Sequence, residues 1–435
     1  MITSTRELLE EVYRAAVAAV EPGRAMSRAL AHIIDSRPSR LHVIAIGKAA
    51  SSMARAACDF AGGLGRAPEG GIAIGVSAAG PGLTIKSVIG DHPIPGAASL
   101  AAASALEQYL RSVNQDDEVW VLLSGGASSL IASPVDHVAQ DELVELYRIL
   151  LGSGLDIHRV NRVRKRFSRW SAGRMAAAIA PAVTRVFAIS DVSSDEPASI
   201  GSGPLSPDPT LAAEVRAIMM ESLGVAHIGP SLDRYLGAVE SGQLPETPKL
   251  GDAIFDNVSY TIIAGNHTAL EGARVRAESS GCQATIGGTL TGDAGRQGHA
   301  IARQLDRIAS DRPHIVLWGG ETTVTLPASS KDEPGAGGRC QHLALAAALH
   351  LSDTGNRRIT LLAAGTDGRD GPTDAAGAII DGETVGLIRR AGLDPGDSLA
   401  AHDSYRALES AHALFKPGLT GTNVMDLVIG LVEPG

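Results

Sequence analysis

Residues 41–60 read LHVIAIGKAASSMARAACDF and join an apolar run of strand length, 41–47, to an alanine-rich helical stretch, 49–60. The same succession of strand, glycine-containing turn and helix recurs along the chain. Further strands are predicted at 71–76, 119–126, 186–192, 260–266, 314–321 and 359–368. Further helices are predicted at 97–110, 140–151, 268–279, 295–308 and 341–351. This alternation predicts an α/β fold built on parallel sheets.

The chain has 435 residues, more than one hydrophobic core usually serves, so we expect two domains. The alternation stops between residues 203 and 256, where six prolines interrupt a mixed region of helices and loops. We therefore predict a Rossmann-like N-terminal domain with a glycine-rich phosphate loop over 1–240. A smaller α/β domain is predicted over 255–435, with the junction near 235–258. A loop is predicted at 328–338, which reads ASSKDEPGAGG.

The composition excludes several classes of protein. A formal net charge of −10 argues against sequence-independent nucleic-acid binding, which needs a basic surface. The three cysteines lie far apart and predict neither a disulfide framework nor a zinc site. No apolar run approaches the roughly 18 residues of a membrane span, and the charged N-terminal residues do not resemble a signal peptide. We expect a cytoplasmic protein.

Lys48 follows the first predicted strand and stands at the start of the next helix. An ammonium and a helix N-terminus both attract phosphate. The alternative interpretation is a solvated surface lysine. A Walker A loop is excluded, because the first glycine of its pattern and the Ser or Thr after the lysine are missing.

The third strand ends in a glycine turn with several hydroxyl groups, LSGGASS at 123–129. Unhindered glycine amides can approach an anion, so we predict that this loop binds nucleotide phosphates. An ordinary tight turn between strand and helix would also need glycine. The residues predicted to contact phosphate here are Ser124, Gly125, Gly126 and Ser128.

A basic segment, NRVRKRFSRWSAGR at 161–174, holds six cations in fourteen residues. It is either a solvated helix face or a patch that clamps a substrate carboxylate and phosphates. Not all six cations can point into one cleft, so most are expected to be structural or exposed. We predict substrate contacts for Asn161, Arg164 and Lys165.

Acidic residues stand at three predicted strand ends, as Asp191, Glu321 and Asp367. Each could simply cap a helix or form a turn. Together they predict a magnesium site, because Mg²⁺ bound to a nucleotide needs only one or two carboxylates. Asp191 is alternatively a general base. Asn266 and Asn423 occupy similar strand ends and are predicted to contact the nucleotide and the substrate, respectively.

The chain lacks the sequence motifs of two other enzyme classes. The nearest candidate for a dinucleotide fingerprint, residues 335–340, has Cys340 at the third glycine position and does not directly follow a strand. A nucleophile elbow of the G-x-S-x-G type is absent. Cys340 and His342 lie two residues apart, so in a helix they would point to different faces and would not form a nucleophile and base pair.

Eight segments of the chain, taken together, resemble the type II glycerate kinases and their MOFRL domain. They are AIGKAA at 45–50, DHPIPGAASL at 91–100, LLSGGASSL at 122–130, the basic segment at 161–174, ISDVSSDEPASIGSGPLSPDPT at 189–210, GGETTVTL at 319–326, AAGTDGRDGPTDAAGA at 363–378 and LTGTNVMDL at 419–427. The resemblance implies ATP- and Mg²⁺-dependent phosphorylation of D-glycerate to 2-phosphoglycerate, in a cleft between the two domains. It also implies that Lys48 and Arg339 are catalytic cations. Members of the family are sometimes labelled hydroxypyruvate reductases.

The chain departs from the family pattern around Arg339, where GAGGRCQH replaces the usual GRGGRNQE, and at Met425, where asparagine is usual. Four activities therefore stay under consideration. They are phosphorylation of D-glycerate, phosphorylation of another small hydroxy acid, NAD(P)H-dependent reduction of hydroxypyruvate, and ligand binding without catalysis.

Overall fold

The computed structural model describes residues 4–33, 40–153, 155, 157–222, 228–325 and 335–435. Most of the loop predicted at 328–338 lies outside the described residues. The chain forms two compact units. The parallel-sheet unit comprises Pro22–Ser190 and Ser194–Ile263, and the mixed-sheet unit comprises Met1–Glu21, Asp191–Ser193 and Ala264–Gly435.

The parallel-sheet unit contains six strands, in the order β3-β2-β1-β4-β5-β6. The strands are β1 (Leu41–Ile46), β2 (Gly70–Gly75), β3 (Lys86–Ile89), β4 (Glu118–Leu123), β5 (Val183–Ile189) and β6 (Val258–Ala264). The pairs β1–β2, β2–β3, β1–β4 and β4–β5 are all parallel. Every residue of β1 and β4 is buried, as expected for central strands that helices cover on both faces.

Helices cover this sheet and extend beyond it. They are α2 (Pro22–Leu30), α3 (Ala50–Gly63), α4 (Ala97–Leu110), α5 (Ala127–Leu130), α6 (Gln140–Gly152), α7 (Ile157–Phe167), α8 (Arg174–Ile179), α9 (Ala212–Ser222) and α10 (Pro230–Glu240). Helices α6, α7, α9 and α10 share a hydrophobic cluster of their own, which includes Leu146, Phe167 and Leu236. The basic segment of α7 is therefore packed in a helical layer and is not a free surface helix.

The mixed-sheet unit has a second six-stranded sheet, in the order β11-β10-β9-β12-β8-β7. The strands are β7 (Gln283–Leu290), β8 (His314–Gly320), β9 (Ile359–Gly365), β10 (Gly377–Asp381), β11 (Leu414–Phe415) and β12 (Asp426–Val432). Strand β12 lies between β8 and β9 and is antiparallel to both. The beginning of β12 therefore lies at the same edge of the sheet as the carboxyl ends of β8 and β9.

The helices of this unit are α1 (Thr5–Ala19), α11 (Asn266–Ser279), α12 (Ala294–Asp306), α13 (Arg339–Thr354), α14 (Thr384–Arg390), α15 (Pro395–Ala400) and α16 (Ser404–Ser410). Helix α1 packs on α11, where a Cβ at Gly272 would stand 2.5 Å from that of Ala19. The first helix thus belongs to the compact unit of the C-terminal half, although the range 1–240 was predicted for the other domain. The reason is its apolar face, which includes the buried Leu9 and Val12.

The predicted α/β class is confirmed, with a parallel N-terminal sheet and a mixed C-terminal one. No helix within the described ranges is long and apolar enough to cross a membrane.

Candidate active site

The ends of β1 and β4 lie side by side at the point where the strand order of the parallel sheet reverses. The turns that follow these strands are joined, since the amide of Lys48 donates to the carbonyl oxygen of Gly125 at 2.9 Å. The amide of Ala49 donates to Ser124 Oγ at 3.1 Å. Open α/β sheets bind ligands outside the carboxyl ends of their strands at such a reversal. The structure therefore brings the lysine turn and the glycine loop together at a favoured ligand position.

Gly126 directly precedes α5 and has a φ of +86°, a left-handed conformation that favours glycine. A Cβ at this position would stand 2.9 Å from His92 Cδ2 and 3.4 Å from Lys48 Cγ. The His92 ring and the stem of Lys48 thus line the glycine loop. No motif in the sequence indicated a role for His92, although it lies in the segment 91–100 quoted above.

The serine hydroxyls of the glycine loop already have partners inside the unit. Ser128 Oγ is 2.7 Å from Ser202 Oγ, and Ser129 Oγ donates to the carbonyl oxygen of Gly126 at 3.1 Å. Ser124 and Ser128 are buried. These bonds hold the loop in shape, and direct contact of the hydroxyls with phosphate stays a prediction.

Arg164 links the basic segment to this loop. Its guanidinium lies over the ring of Tyr147, 5.3 Å from the centroid, and the Tyr147 hydroxyl donates to the carbonyl oxygen of Ser128 at 3.3 Å. Arg164 Nη2 donates to Asn161 Oδ1 at 2.6 Å. Desolvation, followed by the positive charges of Lys48 and Arg164, lowers the pKa of His92 to about 4. The positive charges of Lys48 and Arg164 thus both act on His92, and Arg164 is bonded to Asn161, the other predicted substrate residue.

Other cations of the basic segment form ion pairs and hydrogen bonds within the protein. Lys165 Nζ is 2.8 Å from Asp208 Oδ1, and both side chains are buried. Arg166 binds Glu246, and Arg174 donates to backbone carbonyl groups, among them that of Ser168. An ammonium held in this way has a structural role, and the predicted contact of Lys165 with a substrate stays a prediction. The partners of Lys165, Arg166 and Arg174 agree with the expectation that most of the six cations are structural or exposed.

Arg339 is the first residue of α13 and stands at the strand-end edge of the mixed sheet. Its Nε and Nη2 atoms bind Asp426 Oδ2 and Oδ1 at 2.5 and 2.9 Å, and Nη1 is 2.6 Å from Glu321 Oε1. The register explains why these groups meet, because Asp426 pairs with both Gly320 and Gly365, the last residues of β8 and β9. The guanidinium is thus fixed between two carboxylates and stays partly exposed, at 35%.

The negative charges of three other carboxylates act on Glu321. Partial desolvation raises the pKa of Glu321, whose side chain is 45% exposed, and the positive charge of Arg339 opposes the shift. The other contributions that raise this pKa come from three carboxylates: Asp426, Asp191 and Asp367. The structure therefore brings the predicted acids Asp191, Glu321 and Asp367 into one electrostatic neighbourhood. Within the described part of the chain, no three His, Cys, Asp or Glu side chains are placed to hold one metal ion.

The two predicted asparagines support the turn before β12. Asn266 Nδ2 donates to the carbonyl oxygens of Val424 and Asp426, at 2.8 and 3.2 Å. Asn423 Oδ1 accepts a bond from the amide of Met425 at 3.1 Å. Met425 has a φ of +71°, a region that a long side chain rarely adopts. Asn266 thus orients the backbone that carries Asp426, and its predicted contact with a nucleotide stays a prediction.

The altered residues near Arg339 do not form a second reactive centre. Cys340 is buried, and burial, followed by the charges of Asp426 and Asp370, raises the pKa of its thiol. The ring of His342 stacks on His402, with centroids 5.4 Å apart. A thiol with a raised pKa is a poor nucleophile. Both residues lie on helix α13, which begins at Arg339, two residues before the predicted helix 341–351.

The chain matches known proteins over its full length. Residues 8–237 match a domain of unknown function (DUF4147), and residues 314–426 match the MOFRL family. The D-glycerate 2-kinase of Thermotoga maritima is 34% identical over 99% of this chain and 99% of its own. A protein of Agrobacterium vitis, provisionally named a hydroxypyruvate reductase, is 35% identical over 98% of this chain and 94% of its own.

A solved structure extends the similarity to the fold. The crystal structure of a glycerate kinase from Thermotoga maritima superposes with a TM-score of 0.83 at 34% identity, covering 98% of both chains. This chain is thus similar to glycerate kinases in both sequence and fold. It contains the lysine at a strand end, the glycine loop and the arginine that is bonded to carboxylates. The protein therefore belongs to the glycerate kinase family, whose members combine a DUF4147 domain with a MOFRL domain.

Proposed function

We propose that this enzyme transfers the γ-phosphoryl group of ATP to the 2-hydroxyl of D-glycerate and forms 2-phosphoglycerate in a magnesium-dependent reaction. The observation that carries this proposal is the position of Lys48 beside the left-handed Gly126, at the reversal of the strand order. Phosphoryl transfer depends mainly on positioning and on neutralising charge.

In the parallel-sheet unit, we assign nucleotide phosphates to the glycine loop and to Lys48. The loop offers backbone amides without side chains at Gly125 and Gly126, and the ammonium adds a positive charge. Asn161 and Arg164 are assigned to the substrate. A guanidinium recognises a carboxylate through two hydrogen bonds, and glycerate carries one.

In the mixed-sheet unit, Arg339 is assigned to the negative charge that develops on the phosphoryl group. Its bonds with Asp426 and Glu321 fix the guanidinium before the substrate arrives, so little reorganisation is needed during the reaction. Asn423 is assigned to the substrate, beside the turn that carries Asp426.

The hydroxyl oxygen of glycerate attacks the γ-phosphorus, a new P–O bond forms, and the bond from phosphorus to the β,γ-bridging oxygen breaks to release ADP. The hydroxyl proton passes to a carboxylate, and Asp191 is the candidate. Asp191 is alternatively a ligand of the cation, and both roles follow from a carboxylate at a strand end.

The acids around Glu321 suit a divalent cation. Their mutual repulsion contributes to the raised pKa of Glu321, and a cation placed among them would relieve it. Asp191, Glu321 and Asp367 are the candidate ligands. When bound, Mg²⁺ supplies charge neutralisation on the phosphate oxygens. A cation that is bound mainly by the nucleotide needs only one or two of these carboxylates.

The decisive assay measures ADP formation with ATP, Mg²⁺ and a panel of hydroxy acids that includes D-glycerate, tartrate and tetronates. Phosphorus NMR then identifies the phosphorylated position. We expect turnover with D-glycerate and a phosphate on C2. If no hydroxy acid stimulates ADP formation, the proposal fails. A tetronate or tartrate preference would indicate a kinase for another hydroxy acid, and oxidation of NAD(P)H by hydroxypyruvate would favour the reductase.

A further inference from the structure

Asp370 is a buried carboxylate that supports the beginning of α13 from outside the helix. Its Oδ1 accepts a bond from the amide of Cys340 at 3.1 Å, and its Oδ2 accepts one from the amide of Gln341 at 2.8 Å. The residue before the helix, Gly338, has no side chain that could cap it. Asp370 thus satisfies two of the amides that a helix start leaves without partners.

Two glycines allow this close approach. A Cβ at Gly338 would stand 2.2 Å from Asp370 Oδ1, and a Cβ at Gly371 would stand 2.5 Å from the carbonyl oxygen of Gly337. Gly371 also has a φ of +61°. Any side chain at these positions would separate the two segments, so the chain is built to bring Asp370 against the first turn of α13.

A second layer of hydrogen bonds holds Asp370 itself. Gln341 Nε2 donates to Thr373 Oγ1 at 2.9 Å and to the carbonyl oxygen of Asp370 at 3.3 Å. The Thr373 hydroxyl donates to the same carbonyl oxygen at 2.8 Å. The contact between residues 370–373 and the start of α13 is therefore reciprocal, with hydrogen bonds donated from the helix to residues 370 and 373 through both backbone and side chain.

Arg339 directly precedes the two amides that Asp370 binds, so its backbone is fixed by Asp370 while its guanidinium is fixed by Asp426. We infer that Asp370 is a positioning residue, which sets the place of the Arg339 guanidinium for phosphoryl transfer and acts on the reaction only through Arg339. This inference rests on the proposed kinase function. A displacement of about 1 Å at a catalytic group is enough to cost roughly a hundredfold in rate.

The test is a double-mutant cycle with D-glycerate and ATP as substrates. In the wild-type background, we expect Asp370→Asn to lower kcat about 10- to 100-fold with little change in either KM. In an Arg339→Lys background, where a single ammonium cannot make the two parallel bonds, the same substitution should change kcat less than about threefold. Asp374→Asn is the matched control, because this nearby acid is exposed and binds Lys416.

Equal losses of kcat from Asp370→Asn in both backgrounds would overturn the inference, since a general defect does not depend on Arg339. A wild-type enzyme without kinase activity would instead refute the proposed function itself. If Asp370→Asn does not fold, Thr373→Val replaces it, because this change removes only the outer hydrogen bonds. A smaller loss of kcat that is again absent in the Arg339→Lys background supports the inference, and an unchanged kcat contradicts it.

Discussion

Arg339 binds Asp426 through two parallel hydrogen bonds, from Nε to Oδ2 at 2.5 Å and from Nη2 to Oδ1 at 2.9 Å. Asp426 is buried, whereas the guanidinium is partly exposed. The pair joins the start of α13 to the start of β12. It therefore fixes a cation at an edge of the sheet where the carboxyl ends of two other strands also lie.

Asp426→Asn tests whether this pair matters for catalysis. The amide would present an N–H donor to a guanidinium that also only donates, so one of the two bonds is lost. Because hydrogen bonds to charged groups contribute about 1.5–3 kcal/mol, we expect kcat to fall roughly 10- to 100-fold. Steady-state kinetics with D-glycerate measure the effect. Glu433→Gln, just beyond the same strand, is the control, and similar losses in both variants would contradict the prediction.

Glu321 should make the requirement for magnesium depend on pH. Its raised pKa means that it binds a proton at a higher pH than an ordinary glutamate, and a proton competes with a cation. The Mg²⁺ concentration for half-maximal rate should therefore rise as the pH falls from 7.5 towards the raised pKa. In Glu321→Gln we expect weaker Mg²⁺ activation with a smaller dependence on pH. A dependence that stays unchanged in the variant would argue against a role of Glu321 near the cation.

Lys48→Ala should impair use of ATP. Loss of a positive charge beside the phosphates is expected to lower kcat/KM for ATP about 100-fold or more. Lys86→Ala provides the comparison, since Lys86 is an exposed lysine on the edge strand of the same sheet. Kinetics with varied ATP, together with calorimetric ATP binding, report the change. If the two variants have similar kcat/KM values for ATP and similar ATP affinities, Lys48 is a solvated surface lysine and not a phosphate ligand.

Strands β1, β2, β4, β5 and β6 could be predicted from the sequence because each is an apolar run of strand length. The edge strand β3 was not predicted, because it has only four residues and none of them is buried. Asp426 was missed for a physical reason. The candidate acids Asp191, Glu321 and Asp367 stand at the carboxyl ends of predicted strands, whereas Asp426 begins an antiparallel strand that enters the same edge from the opposite direction. The pairing of β12 with β8 and β9 is a long-range contact that no local pattern reveals.

Local sequence patterns also did not show which elements and side chains pack against each other. The apolar face of α1 predicts burial, and only the structure shows that α11 covers it. Within the basic segment, composition could predict that some cations would be structural. The fate of Lys165 depends on Asp208, which lies over forty residues away in the proline-containing region. A charge pattern alone does not distinguish a buried ion pair from a binding group.

The buried pair of Lys165 and Asp208 should affect stability strongly. Burial tends to raise the pKa of Asp208, but Lys165 and hydrogen bonds from Thr210 and Thr247 lower it below its usual value. The stabilisation that results from the lowered pKa of Asp208 is present above the pKa of this carboxyl group in the unfolded chain. It is lost as the pH falls through the lower pKa of the folded protein. We expect Asp208→Asn to reduce the free energy of unfolding by about 3–5 kcal/mol at pH 7, because a charge is left buried without its partner.

Denaturant-induced unfolding followed by circular dichroism measures this loss. The double variant Lys165→Met, Asp208→Leu removes both charges and should lie closer to the wild type than Asp208→Asn does. Wild-type stability in Asp208→Asn would mean that the pair is not buried in solution.

Gly126→Ala should weaken ATP binding through the shape of the glycine loop. Alanine is disfavoured at a φ of +86°, and its Cβ would stand 2.9 Å from the ring of His92, so the loop and the neighbouring Lys48 must shift. Gly65 provides a matched control, because its φ of +71° imposes the same backbone strain while a Cβ there would meet nothing within 4 Å. We expect both variants to lose roughly 1 kcal/mol of stability from strain, and only Gly126→Ala to raise the dissociation constant for ATP, by about tenfold or more. Calorimetric titration of both proteins with ATP and Mg²⁺ separates the two effects. Equal ATP affinity in the two variants would show that the loop does not hold the nucleotide, and the phosphate site would then have to lie elsewhere in the chain.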